Sequence, residues 1–132
     1  MKVRISRGIL EQIMSEAAAD GNEVCGLLLG EGRRIRAIRP AANVAADPAR
    51  HFELDPAVLI AAYRAARGGG ARIIGHYHSH PGGVAVPSAT DAACAMADGS
   101  LWLIVGGGAA RLWVATGEDE NARFVEALLD IL

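Results

Sequence analysis

Three of the four histidines of this chain fall within five residues, His76-Tyr77-His78-Ser79-His80. On an extended strand, alternate side chains share a face about 6.5–7 Å apart along the chain. His78 and His80 can converge on one cation if the chain bends, and Pro81-Gly82-Gly83 follows directly. Imidazole and carboxylate donors at about 2.0–2.2 Å suit zinc, whose catalytic sites take three protein ligands and leave one position for water. Ser88 and Asp91 stand eight and eleven residues after His80, completing the pattern H-x-H-x₇-S-x-x-D. Ser88-Ala89-Thr90-Asp91 also has the form of a capping box, and the two roles are compatible. A helix start holds Asp91 on a rigid element, and the intervening loop returns it over the strand. By itself the H-x-H pair fits a chance cluster on a solvent-facing strand equally well; Ser88 and Asp91 tip the balance. The expected ligands are His78, His80 and Asp91, two neutral imidazoles and one carboxylate that leave a divalent cation with net charge of about +1.

Zinc lowers the pKa of a bound water toward 7, and a nearby carboxylate takes the proton as that water attacks. Glu23 borders the apolar run Val24–Leu29 and is the best candidate for that base. By position alone, after Asp20-Gly21-Asn22, it reads rather as an exposed turn residue, and the motif is what favours the base. The motifs H-S-H-P and S-x-x-D at this spacing resemble the JAMM signature of the MPN+ metalloproteases, zinc-dependent deubiquitinases and their prokaryotic relatives. Glu23-Val24-Cys25-Gly26-Leu27-Leu28-Leu29-Gly30 is similar to that family's upstream glutamate before a Cys-Gly-apolar run. The similarity extends from the first helix through Phe52-x-x-Asp55-Pro56 to the last strands.

The resemblance implies an α/β fold, a single mixed β-sheet of the MPN/JAB, cytidine-deaminase-like type with helices packed on it. It implies one Zn²⁺ per chain on His78, His80 and Asp91, Glu23 as general base and Ser88 as support for the oxyanion. The activity implied is hydrolysis after the C-terminal Gly-Gly of a small ubiquitin-like or sulfur-carrier protein, without a covalent enzyme intermediate. His76 departs from the family, many of whose members carry an aromatic or aliphatic residue there. Two other readings keep the same residues: a peptidoglycan or other peptide hydrolase with this metal site, and a non-catalytic MPN-type scaffold. Relatives of the scaffold kind usually lack the ligands, which this chain has.

Other reactive residues read as structural. Cys25 has no histidine within sequence reach and is expected in the core, as is Cys94 among its alanines. His51 is expected at the surface or hydrogen-bonded, and His76 one step too far along the strand to ligate. Gly106-Gly107-Gly108 lacks the following Lys-Ser/Thr of a phosphate loop. Trp102 and Trp113 are expected to pack in or near the core.

The elements that must position these residues follow from periodicity. Ser6 is an N-cap for a helix carrying Ile9, Leu10, Ile13, Met14 and Ala17 toward Asp20-Gly21. Strands are expected over 24–29, over 33–39 ending at Pro40, over 72–80, 101–105 and 111–115, and a short one over 51–54. Asp55-Pro56 starts a second helix to about Arg67, and Ser88 a third to about Ala97. The segment 124–132 fits a strand through Val125, Ala127, Leu129 and Ile131, or a helix through Phe124, Leu128 and Leu132.

The chain has 132 residues, 52% of them hydrophobic, with mean hydropathy +0.23, enough for one domain over 1–132 and not for a disordered tail. Net charge of −2 with scattered basic residues argues against a nucleic-acid partner. No apolar run approaches the roughly 20 residues that span a bilayer, and 1–10 lacks the form of a secretory signal. Two cysteines without a C-x-x-C pair suggest a reduced, cytoplasmic protein. Oligomeric state leaves no trace in the sequence.

Overall fold

The computed structural model describes residues 1–117 and 123–132. Along the chain run β1 (Lys2–Ile5), α1 (Arg7–Ala19), β2 (Cys25–Glu31), β3 (Arg34–Ala41) and α2 (Pro56–Arg67). They are followed by β4 (Arg72–Ser79), α3 (Ala89–Cys94), β5 (Leu101–Gly106), β6 (Ala109–Thr116) and β7 (Arg123–Ile131). Among the described residues the seven strands form one mixed sheet in the order β1-β3-β2-β4-β5-β6-β7, closed into a barrel where β7 pairs in parallel with β1. No helix of the described residues is long and apolar enough to cross a membrane.

Helix starts follow the caps. Ser6 Oγ accepts from the Ile9 amide at 3.2 Å, and Asp55 accepts from the Ala57 amide at 3.0 Å ahead of Pro56. The two helices cover different faces of the sheet. Ile9, Leu10, Met14 and Ala17 of α1, with buried Ile13, pack against Leu28, Tyr77, Leu103 and Leu112. Ala62, Val58 and Leu59 of α2 pack against Leu27, Leu29 and Ile73.

The histidines share the α2 face because β4 carries a bulge. Leu28 faces Gly75 but Leu29 faces Ile73, so Ile74 is the extra residue and the alternation resets there. Ile73 and His76 thereby lie on one face, opposite Leu29 and Leu27, while Tyr77 points to α1 and donates to Glu16 at 2.9 Å. β4 is central, antiparallel to β2 and parallel to β5, with Cys25 opposite His78 on one side and Ile104 opposite it on the other.

Several sequence expectations need correction. β1 has no separate signal in the sequence; four residues acquire strand form by filling the gap between β3 and β7. β3 runs through Pro40 to Ala41, because β1 pairs with it only at Arg34 and Ile35 and the missing Pro40 N–H faces no neighbour. The 51–54 segment forms only an isolated bridge between Leu54 and Asn43. α3 ends at Cys94, short of Ala97, and Cys94 is exposed, since the inward side of this one-and-a-half-turn helix is taken by Asp91. The 124–132 ambiguity resolves to a strand, because β7 supplies the ladder that closes the barrel.

Gly26 is the tightest point between β2 and β4. A Cβ there would lie 2.4–2.5 Å from the ring of Tyr77, which is fully buried. Gly26→Ala is expected to lower stability by about 1–3 kcal/mol, the usual penalty for overpacking. Urea unfolding of the two proteins checks this, and an unchanged midpoint would mean the Tyr77 ring can move aside.

Candidate metal centre

The site lies where β4 ends. His78 Nε2 and His80 Nε2 are 3.0 Å apart, and Asp91 Oδ2 lies 3.2 Å from the first and 3.1 Å from the second. His78 is fully buried, Asp91 is 5% exposed, and His80 sits at the mouth. His80 Nδ1 is 2.8 Å from the Val84 carbonyl, which accepts no bond unless that nitrogen carries the proton. The His80 Nε2 lone pair therefore points into the triangle.

Two bare imidazole nitrogens and a carboxylate oxygen at such distances repel one another unless a proton or a cation stands among them. Tetrahedral ligands on zinc at about 2.0 Å are about 3.3 Å apart, close to the three edges seen. The residues fit a divalent cation.

Local structure explains each position. Asp91 is the third residue of α3, and the capping box is present in full: Ser88 Oγ accepts from the Asp91 amide at 3.0 Å, and Asp91 Oδ2 accepts from the Ser88 amide at 2.9 Å. The cap thus fixes the same oxygen that faces the histidines. Val84 is pinned against β5, since any Cβ on Gly106 would meet Val84 backbone at 2.6 Å, and Trp113 Nε1 donates to the neighbouring Ala85 carbonyl at 3.0 Å. His78 Nδ1 has no partner among the described residues. Its ring is held by Phe52, stacked at 4.3 Å and 20°. Behind it, His76 packs edge-on to Trp102 at 4.2 Å.

Glu23 sits just before β2 and is 6% exposed. One donor atom each from Glu23, His78 and His80 lie within 4.8 Å of one another. The adjoining Val24 amide donates to Ser79 Oγ at 2.9 Å, and the Ser79 amide returns a bond to the Val24 carbonyl at 3.0 Å. Sequence reasoning missed the roles of Ser79, Val84 and Phe52, because they act through a hydroxyl that meets a distant amide, a backbone carbonyl and a ring face. It placed His76 and His51 well: His76 is off the triangle and His51 is exposed. Trp102 is buried in the site wall, and Trp113 is half-buried.

Burial raises the Glu23 carboxyl to about 7, against the pull of His80 and with help from Asp91. Burial would also raise Asp91, but the adjoining His78 and His80 and the Ser88 amide outweigh it and hold the carboxyl well below its usual range. Burial lowers His78, whereas the Asp91 contact raises His80. One carboxylate is thus kept charged and the other is poised near neutrality, a division of labour typical of hydrolytic sites. Burial lowers His76 to about 4, which keeps it neutral, and pushes the Cys25 thiol up to about 11, which makes it a poor nucleophile.

The family model described as prokaryotic homologs of the JAB domain matches residues 6–123. A desampylase of Haloferax volcanii is 41% identical over 99 residues, covering 73% of this chain and 71% of the relative. A probable TtuB-protein conjugate cleaving protease of Thermus thermophilus is 34% identical over 91 residues, covering 66% of this chain and 59% of that one. The solution structure of a protein from Desulfitobacterium hafniense superposes with a TM-score of 0.78 at 26% identity, covering 100% of this chain and 94% of the other.

The burial of Glu23 makes stability depend on pH. Between 4.5 and about 7 the unfolded chain ionises Glu23 while the folded chain retains its proton, so stability falls with rising pH through this window and levels off above it. Glutamine never ionises. In metal-stripped protein, the melting temperature of Glu23→Gln is expected to gain on the parent from near pH 4.5 to near 7 and hold that gain above. A pH-independent offset would contradict the assignment.

Proposed function

The chain belongs to the prokaryotic JAB-domain family, and on that premise we propose that it is a zinc metallopeptidase acting on a small ubiquitin-like or sulfur-carrier protein. The bond cut is the one after the carrier's C-terminal Gly-Gly. The observation that carries this reading is the triangle of His78, His80 and Asp91 donor atoms at 3.0–3.2 Å with the Glu23 carboxyl beside it. The relatives named for cleaving or removing protein conjugates support the substrate class. Residues 1–132 are taken as one catalytic domain, and two unpaired cysteines suit a reducing cytoplasm.

His78, His80 and Asp91 would hold one zinc, which would supply Lewis acidity and lower the pKa of a water toward 7. Glu23 takes the proton of the attacking water on a carboxylate oxygen and returns it to the leaving nitrogen. Its nearly complete burial favours its taking up that proton. Ser88 Oγ already accepts from the Asp91 amide, so its hydroxyl proton is free to bond the developing oxyanion. Asp91 keeps its charge and His80 its tautomer through the Ser88 amide and the Val84 carbonyl. The loops 41–50 and 81–87 flank the site, where Pro48 accepts from the Glu23 amide at 2.8 Å. An extended glycine tail suits docking between them by backbone pairing, which needs no side chains.

Three substitutions separate the roles. Glu23→Gln is expected to keep zinc and lose about 10²–10⁴-fold in rate. Ser88→Ala should keep zinc and lose at most about 10²–10³-fold, and Asp91→Ala should lose metal and activity together. Zinc content, melting and peptidase rate measured on the same preparations decide it; loss of zinc from Glu23→Gln would make Glu23 a ligand. For the substrate, carrier fusions with Gly-Gly before the junction should be cut and those with Ala-Ala should not, as read by mass spectrometry. Equal cutting would refute the narrow groove.

A further inference from the structure

Glu23 lies outside the β2 ladder, so its position depends on what holds its own backbone. Its amide donates to the Pro48 carbonyl at 2.8 Å, and its carbonyl accepts from Asn43 Nδ2 at 2.9 Å. Asn43 Nδ2 also lies 2.9 Å from the His51 carbonyl and 3.3 Å from the Pro48 carbonyl. Asn43 Oδ1 accepts from the Ala45 amide and the Glu53 amide, each at 3.1 Å. Every donor and acceptor of this half-buried amide is engaged. The Asn43 backbone is itself fixed by its bridge to Leu54, flanked by bonds from Val44 to Glu53 and from Asp55 to Ala42.

We propose that Asn43 is a positioning residue for the hydrolytic reaction, a single amide that fixes the backbone of Glu23 and the turn that presses Phe52 onto His78. The inference rests on Glu23 being the general base. Phe52 lies between His51 and Glu53, the two residues whose carbonyl and amide Asn43 grips, and its ring covers His78 at 4.3 Å. Asn43 therefore joins the proton-transfer side of the site to the imidazole side through one group. Only a side-chain amide of this length has both the donors and the acceptor required: aspartate lacks the donors, and serine is too short to reach all five partners. Asn43 touches neither the donor triangle nor the space before it, so it acts through Glu23 and Phe52 alone. The triangle is held by other means, namely β4, the Ser88 cap and the Val84 carbonyl.

Asn43→Asp keeps the size and the acceptor but turns an oxygen toward the three carbonyls. It is expected to lower kcat about 10–100-fold, the scale of a displaced catalytic group, with KM, zinc content and folded structure retained. In the Glu23→Gln background the same change is expected to cost several-fold less, because one of the two groups it positions no longer transfers a proton. Should Asn43→Asp fail to fold, Asn43→Ser carries the same expectations. A parent-like kcat, an equal fold-loss in both backgrounds, or a loss that tracks zinc content would each overturn the proposal. Failure of the underlying reading shows separately, in the Glu23→Gln protein alone: a parent-like rate there removes Glu23 as the base and Asn43's role with it.

Discussion

Three electron-rich atoms crowded within 3.2 Å are the constraint on which the rest of this structure depends. Such a group is costly in a buried site unless a positive charge compensates it. The chain keeps the arrangement by fixing each donor from behind. Asp91 Oδ2 is tied to the Ser88 amide, His80 Nδ1 to the Val84 carbonyl, and His78 is clamped under Phe52. A cation or a proton among the three atoms relieves the crowding, and the supports behind each donor make the site preorganised for a cation.

The sheet supplies the rigidity. β4 is paired on both sides, and its bulge at Ile74 turns His76 and His78 to the face where α2 packs instead of into the core beneath α1. That face is lined near the site by Phe52, His76 and Trp102, whose rings lie within 6.5 Å of their neighbours. His76 Nδ1 and Trp102 Nε1 are buried there without partners among the described residues. Unpaired nitrogens lower stability, and aromatic packing of this kind offsets part of that cost. The neutral His76 adds bulk and no charge to the wall behind the ligand histidine.

Electrostatics then divide two carboxylates that are buried alike. Glu23 and Asp91 are both nearly inaccessible. Asp91 accepts from the Ser88 amide beside two histidines and stays ionised, whereas the Glu23 carboxyl has no hydrogen-bond donor among the described residues and rises to about 7. The same burial leaves one carboxyl ionised and raises the other, according to what else touches the oxygens. Glu23 owes its place to backbone anchors from Pro48 and Asn43.

Much of this was legible in the sequence because it is written in local chemistry. The His78–His80 spacing, the Ser88–Asp91 cap, the Asp55-Pro56 helix start and the Glu23 position before an apolar run each depend on residues within a few positions of one another. Tertiary structure decided the rest. Strand β1 and the strand form of 124–132 exist only because barrel closure offers each a partner. The outward face of Cys94 follows from Asp91 claiming the inward one. Asn43, Phe52 and Val84 join the site through a backbone carbonyl, a ring face or an amide reaching several loops. Residue type records what a side chain can bond, and only the folded chain settles which groups come within reach of it.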